Sequence, residues 1–162
     1  MDVFKAKKEV GDKYQSHLFE KYAILFCTIA EEVISQFGDE GRKAIINSVK
    51  KYAEARGSKV AKLVQSLGKE RSLKNYFIYG DSDDMSVMKF RLKIINGNIE
   101  ITARECLFCN ACRDSGKEEY GKLYCEHSDK SLLRGYNPNI KLEVPSILTR
   151  GDKNCIFKFY YK

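Results

Sequence analysis

Apolar and polar positions in the first seventy residues recur with the three- and four-residue spacing of helices. One apolar stripe, over about four turns, consists of Leu18, Tyr22, Leu25, Ile29 and Val33. Glycines follow these helical stretches at positions 38, 57 and 68, where glycine commonly ends a helix. The pattern therefore predicts three helices, about 18–37, 39–56 and 58–67.

The spacing changes to alternation after residue 88. The stretches "FRLKII" (90–95) and "IEIT" (99–102) each put their apolar residues on one side, and "NGN" lies between them. An Asn-Gly turn between two alternating runs predicts a β-hairpin. The closing stretch "KLEVPSILTRGDKNCIFKFYYK" predicts two more strands, about 141–149 and 155–161, joined by a turn around Gly151 and Asp152. Pro145 indicates that the first of these lies at an edge or carries a bulge.

Helices first and strands afterwards predict an α+β fold, with N-terminal helices packed on an antiparallel sheet of at least four strands. A short helix is also expected near residues 125–133. We interpret residues 1–162 as a single domain, with a helical part at 12–70 and a sheet part at 88–162 that carries an inserted cysteine-rich segment.

Composition favours a soluble globular protein, since 43% of the residues are hydrophobic and 31% charged. The sequence contains no run of eighteen apolar residues and no export signal, so we expect no membrane span, a cytoplasmic location and reduced thiols. The net charge is +7, but the lysines are spread over every segment. This distribution does not favour nucleic-acid binding, and it suits attraction of a small anionic substrate such as a carboxylate.

Four of the six cysteines lie between residues 105 and 129, in the pattern C-x2-C-x2-C followed by a fourth cysteine twelve residues later. Thiolates at this spacing can converge on Zn(II) or an iron–sulfur cluster. The ligands would be Cys106, Cys109, Cys112 and Cys125, with His127 as a substitute. The alternative is that Cys106 continues the preceding strand and points into the core, with no cofactor bound.

Taken one by one, Cys125 and the two remaining cysteines suggest different roles. Cys125 lies close to the expected start of a helix, where the helix dipole lowers a thiol pKa, and His127 and Asp129 could act there as base and orienting acid. Cys155 opens the final strand and Cys27 lies within the first helix. Both are expected in the core on local grounds.

The second half resembles the L-2-amino-thiazoline-4-carboxylic acid hydrolase family. The matching features are "YCEHSD", "GYNP" and the closing "GD..C.F" strand. The residues that fall on this pattern are Cys106, Cys125, Asp129, Gly151, Asp152 and Cys155. Cys109, Cys112 and His127 do not belong to it.

The resemblance implies hydrolytic opening of a thiazoline ring. It also implies a fold related to the small-molecule-binding domains of the 4-vinyl reductase type, with a ligand pocket between the helices and the sheet. The chemistry needs a nucleophile and an acid. We expect Cys125 or Cys155 as the nucleophile and Asp129 or Asp152 as the acid, with a turn residue or a helix first-turn charge as the structural alternatives for the two aspartates.

The remaining substrate-binding candidates are Cys106, Tyr124, Tyr136, Arg134 and Arg150, the arginines for a substrate carboxylate and the tyrosines as pocket lining or core. A different class of function also fits the sequence: a non-catalytic domain on the same fold that binds a small molecule or a metal. The sequence leaves a homo-oligomer open.

Overall fold

The computed structural model describes residues 2–11, 15–81 and 85–162. Its helices are α1 (Val3–Val10), α2 (Leu18–Ser66), α3 (Leu73–Tyr79), α4 (Leu107–Asp114), α5 (Glu118–Cys125) and α6 (Ser128–Tyr136). Its strands are β1 (Met88–Ile95), β2 (Asn98–Cys106), β3 (Ile140–Ser146) and β4 (Cys155–Tyr161). Residue 12, where the helical part was expected to begin, lies outside the described residues.

The strands form one antiparallel sheet in the order β1-β2-β4-β3, and helices pack on it, which confirms the predicted α+β class. Asn96 and Gly97 make the hairpin turn between β1 and β2, and both have positive φ, as the favoured two-residue turn requires. The register of β3 shifts between Glu143 and Ser146, on either side of Pro145. The predictions for Pro145 are therefore both confirmed, because β3 is an edge strand and is irregular there.

Two of the three predicted helix ends lie at real breaks. Gly38 has non-helical angles (φ 54°, ψ −133°), and the chain turns there so sharply that Gly41 packs against the Val33 carbonyl. Gly68 follows α2 with positive φ. The predicted end at Gly57 is wrong, because α2 continues through it without a break.

Gly57 does not end a helix but allows two helices to pack closely. A Cβ added to it would lie 1.9 Å from the carbonyl oxygen of Leu132 in α6, and one on Gly135 would lie 2.3 Å from that of Glu54 in α2. Two glycines on facing helices thus let α2 and α6 approach at backbone contact. This contact places the second half of α6 against the C-terminal half of α2.

Most of the apolar stripe predicted for the first helix does not face the core, although Tyr22 of that stripe does. Leu18, Leu25 and Ile29 are mostly exposed, whereas small residues of the same helix are fully buried: Ala23, Cys27 and Ala30. Close packing against α4 selects the small face, since α4 brings its own buried Phe108 and Cys112 to this contact.

The helix expected near residues 125–133 corresponds to α6, which begins three residues later than expected, and a separate helix, α5, precedes it. Cys125 was expected close to the start of this helix, but it ends α5, and α6 begins at Ser128 after His127.

The core continues from the helices onto one face of the sheet, where Val64, Leu133, Tyr136 and Phe159 are buried together. Among the described residues, no helix is both long enough and apolar enough to cross a membrane.

Candidate active site

The structure brings four thiols from three parts of the chain to one place, where the end of β2 and the start of β4 meet α4 and α5. We call this group the thiol cluster; it consists of Cys106, Cys109, Cys125 and Cys155. Cys109 is at its centre, because its thiol interacts with the other three sulfurs. All four are free thiols, and all except the partly exposed Cys125 are buried.

Cys106 lies at the junction between strand and helix. It is the last residue of β2 and the N-cap of α4. Its side chain makes no capping hydrogen bond, but the backbone amides of Phe108 and Cys109 are close enough to its sulfur to lower its pKa. The Cys109 thiol first, and these amides next, lower the pKa of Cys106 to about 7 despite burial.

The Cys109 thiol is the hydrogen-bond donor within the cluster, and this role raises its own pKa. Cys155, opposite Ala103 in the sheet, accepts a hydrogen bond from the Leu148 N–H at 3.3 Å. Donation by the Cys109 thiol, with the Leu148 amide, lowers the pKa of Cys155. Cys106 and Cys155 are therefore the members of the cluster in which a thiolate is stabilised.

Cys112 does not join this cluster. Its sulfur lies 3.3 Å from that of Cys27 in α2, and both side chains are fully buried. Within residues 2–11, 15–81 and 85–162, no group of three or more Cys, His, Asp or Glu residues is arranged to hold a metal ion. The donor set named for Zn or an iron–sulfur cluster is thus divided between two places, and metal binding stays a prediction without a preformed site.

Asp129 supplies a carboxyl group near the cluster. It lies in the first turn of α6 and keeps part of its surface exposed. Burial raises its pKa to about 6, and the Arg56 guanidinium partly offsets that rise. Arg56 is itself bound by Asp81 through hydrogen bonds of 2.7 and 2.8 Å. Asp129 acts electrostatically on Cys106 and Cys155, so an acid of near-neutral pKa accompanies the two thiolate candidates.

Aromatic rings close one side of the site. Tyr124 stacks on Phe108 with ring centroids 4.9 Å apart, and it meets Tyr22 and Phe26 edge to face. Burial raises the pKa of Tyr124, so its hydroxyl keeps its proton. Tyr136 is elsewhere, fully buried in the main core with its hydroxyl donating to the Ser72 carbonyl at 2.9 Å.

The other predicted site residues divide between the site and its surroundings. Arg134 is exposed and pairs with Glu54, away from the thiols. Asp152 accepts a hydrogen bond from the Ile147 N–H at 2.7 Å, which is the turn role considered as its alternative. Burial lowers the pKa of His127, whose side chain makes no hydrogen bond to a cluster thiol within the described residues.

An open cleft of about 410 Å³ leads to the cluster through Cys109. Three cationic side chains line it: Arg113, Lys122 and Arg150. Glu126 pairs with Arg150 at 2.7 Å, and Lys122 has no acidic partner among the described residues. Two carboxylates, Glu118 and Asp152, offset part of this charge.

The lining of the cleft also includes Thr149, which is 2% exposed and whose hydroxyl has no hydrogen-bond partner in the described part of the chain. Sequence reasoning found Arg150 but missed Arg56, Arg113 and Lys122. No motif distinguishes these three from the many other basic residues; only the fold brings them to the site.

Comparison with known proteins agrees with this architecture at two levels. A solved structure described as trafficking protein particle complex subunit 3 from Naegleria fowleri, covalently bound to palmitic acid, matches with a TM-score of 0.54. The match covers 89% of this chain and 95% of that one at 13% identity, which shows a shared fold alone. No curated protein matches the chain. The model of one protein family matches residues 17–159, which is most of the chain and includes the whole thiol cluster and Asp129. The chain belongs to the L-2-amino-thiazoline-4-carboxylic acid hydrolase family.

Proposed function

We propose that the protein is a cysteine-dependent hydrolase that opens a small cyclic substrate of the 2-aminothiazoline-4-carboxylate type, with Cys106 as nucleophile and Asp129 as acid. The observation that carries the proposal is the position of Cys106 as the N-cap of α4, beside Cys109 and within electrostatic range of Asp129. Family membership supplies the substrate class.

Cys106 replaces Cys125 as the proposed nucleophile because of the helix boundaries. A thiolate is the reactive form of cysteine, and amides at a helix N-terminus stabilise it. Cys106 has that environment, whereas Cys125 ends α5. Cys155 is the second candidate, since the Leu148 amide also stabilises its thiolate.

In the proposed reaction, the net change is the addition of one water molecule to the substrate. The Cys106 thiolate adds to the carbon of the ring C=N bond, and the resulting adduct expels the ring sulfur, which Asp129 protonates. Water then attacks the same carbon, returns one proton to Asp129 and displaces the Cys106 thiolate. The product is a ureido acid with a free thiol.

The basic cleft suits the carboxylate of such a substrate. Lys122 is free of acidic partners among the described residues, while Arg150 is held in place by Glu126. An anion bound here lies next to Cys109, whose thiol contacts Cys106. We assign Lys122 and Arg150 to substrate binding, with Arg113 on the opposite element of the cleft.

The test is hydrolysis of 2-aminothiazoline-4-carboxylate by the purified protein, followed as ring opening by chromatography and mass spectrometry. Cys106→Ala is expected to abolish turnover, on the order of 10³-fold or more. Cys112→Ala serves as the matched control, because Cys112 pairs with Cys27 outside the cluster. Normal turnover by a folded Cys106→Ala protein, with loss in Cys155→Ala, would move the nucleophile to Cys155.

The alternative function is a non-catalytic binding domain on the same fold. It predicts that the carboxylate binds in the cleft and is never converted, in metal-free and metal-supplemented protein alike. Stoichiometric Zn or iron in the purified protein, lost in Cys109→Ser, would instead favour the metal-binding form of this alternative.

A further inference from the structure

Cys106 and Cys109 have the relative position that an intramolecular disulfide needs. They occupy the N-cap and the third residue of α4, a helix of eight residues. Helix geometry puts Cα atoms three residues apart at about 5 Å, within the usual range of about 4.4–6.8 Å for a disulfide. Both side chains point into the same cluster, since the Cys109 thiol interacts with the Cys106 sulfur. The backbone therefore needs little movement to join them.

The two thiols also differ in the way that oxidation chemistry requires. The Cys109 thiol and the amides of α4 lower the pKa of Cys106, and the donating role of Cys109 raises its own pKa. A thiolate beside a protonated thiol is the arrangement in which one sulfur is oxidised and the other resolves the product.

Access restricts the oxidant to small molecules. Cys106 is 7% exposed and Cys109 is 5% exposed, but Cys109 lines the open cleft of about 410 Å³. Thiols buried to this extent are shielded from another protein's thiol or disulfide, whereas a small oxidant such as hydrogen peroxide can approach them through the cleft.

We propose that Cys106 and Cys109 form a peroxide-oxidisable dithiol, in which Cys106 is the modified residue and Cys109 resolves it to a disulfide. The Cys106 thiolate attacks one oxygen of hydrogen peroxide, the O–O bond breaks, and Cys106 becomes a sulfenic acid. The second oxygen leaves as hydroxide, which takes up one proton to become water. The Cys109 sulfur then attacks Cys106 and expels its hydroxyl as a second water. The two thiols lose two electrons in total, and the peroxide gains them.

Other disulfides are possible among these thiols, so the predicted pairing of Cys106 with Cys109 can be distinguished from alternatives. Cys109 also contacts Cys125 and Cys155, and the separate pair Cys27–Cys112 has its sulfurs only 3.3 Å apart. Pairing of Cys109 with Cys106 is favoured over the other two cluster thiols because only these two lie on one helical turn. Cys27 and Cys112 are fully buried, so the oxidant reaches them last.

The experiment is disulfide mapping of the wild-type protein after a short exposure to hydrogen peroxide, by digestion under conditions that block exchange and mass spectrometry. The expected result is a linkage between Cys106 and Cys109, formed before any other and reversed by dithiothreitol. In Cys109→Ser, a dione probe for sulfenic acid is expected to label Cys106 at least about tenfold more than in wild type. Cys112→Ala is the matched control and is expected to behave as wild type.

A first linkage between Cys27 and Cys112, or between Cys109 and either Cys125 or Cys155, overturns the assignment. So does a protein whose six thiols all stay reduced. Hydrolysis is not measured in any arm, so failure here leaves the proposed hydrolase unaffected, and failure of the hydrolase leaves this result unaffected.

Discussion

At the scale of single residues, two side chains set the pH at which the proposed reaction runs. The mechanism uses the thiolate of Cys106, with a pKa of about 7, and the protonated form of Asp129, with a pKa of about 6. Acid conditions remove the thiolate and alkaline conditions remove the protonated carboxyl group. We therefore expect a bell-shaped profile of kcat/KM with apparent limbs near 6 and 7. A rate that keeps rising above about pH 8 contradicts the role of Asp129 as an acid.

Asp129 also links stability to pH. Its folded pKa of about 6 lies above the ordinary value of 3.8, so the fold disfavours the ionised form. Ionisation of Asp129 therefore lowers the free energy of unfolding as the pH rises from about 4 to about 6, and the free energy stays lower above that range. Asp129→Asn is expected to raise the free energy of unfolding at pH 7 by about 1–3 kcal/mol, while removing activity.

Urea unfolding at two pH values checks this. The variant and the wild type are expected to have nearly equal stability near pH 4, where Asp129 is largely protonated in the folded protein. A variant that is less stable than wild type at pH 7 would show that the carboxylate has a stabilising partner.

Only some of the residues of the site could be predicted from the sequence. The resemblance indicated Cys106, Cys125, Asp129 and Cys155, and the structure brings these together. It could not indicate which thiol is activated, because that depends on where α4 and α5 begin and end. Cys125 was expected close to a helix start, but it ends α5, and Cys106 is the thiol at the start of a helix.

At the scale of elements, the contact between α2 and α6 depends on two glycines. Gly57→Ala is expected to destabilise the protein by about 1–3 kcal/mol, because the added methyl group overlaps the Leu132 carbonyl. Helix propensity alone predicts the opposite sign, a gain of up to about 1 kcal/mol. Asn47→Ala, at an exposed position of the same helix, is the matched control and is expected to change stability by less than about 1 kcal/mol. Thermal or urea unfolding decides the sign.

The elements were predictable where local pattern determines structure. The Asn96-Gly97 hairpin, the break at Gly38 and the irregularity at Pro145 each follow from the backbone preferences of one or two residues. Gly57 was misread because its role lies in a contact with a helix about seventy-five residues away. The apolar stripe with Leu25 and Ile29 was misread for the same reason, since α4 packs on the small face of α2.

At the scale of the whole molecule, the fold places a basic cleft next to buried thiols. Lys122→Gln is expected to raise KM about 3–10-fold with little change in kcat, because its charge binds the substrate carboxylate equally in the ground and transition states. Lys62→Gln removes an exposed charge of α2 outside the cleft and is the control. An equal effect of both variants would mean that net charge, rather than the cleft, attracts the substrate.

Intact-protein mass spectrometry after rapid quenching decides whether Cys106 forms the covalent intermediate. With 2-aminothiazoline-4-carboxylate, we expect a transient species heavier than the protein by one whole substrate molecule, mapped by digestion to Cys106 and missing in Cys106→Ala. The same species mapped to Cys155 or Cys125, or turnover by folded Cys106→Ala at the wild-type rate, would rule out Cys106 as the nucleophile.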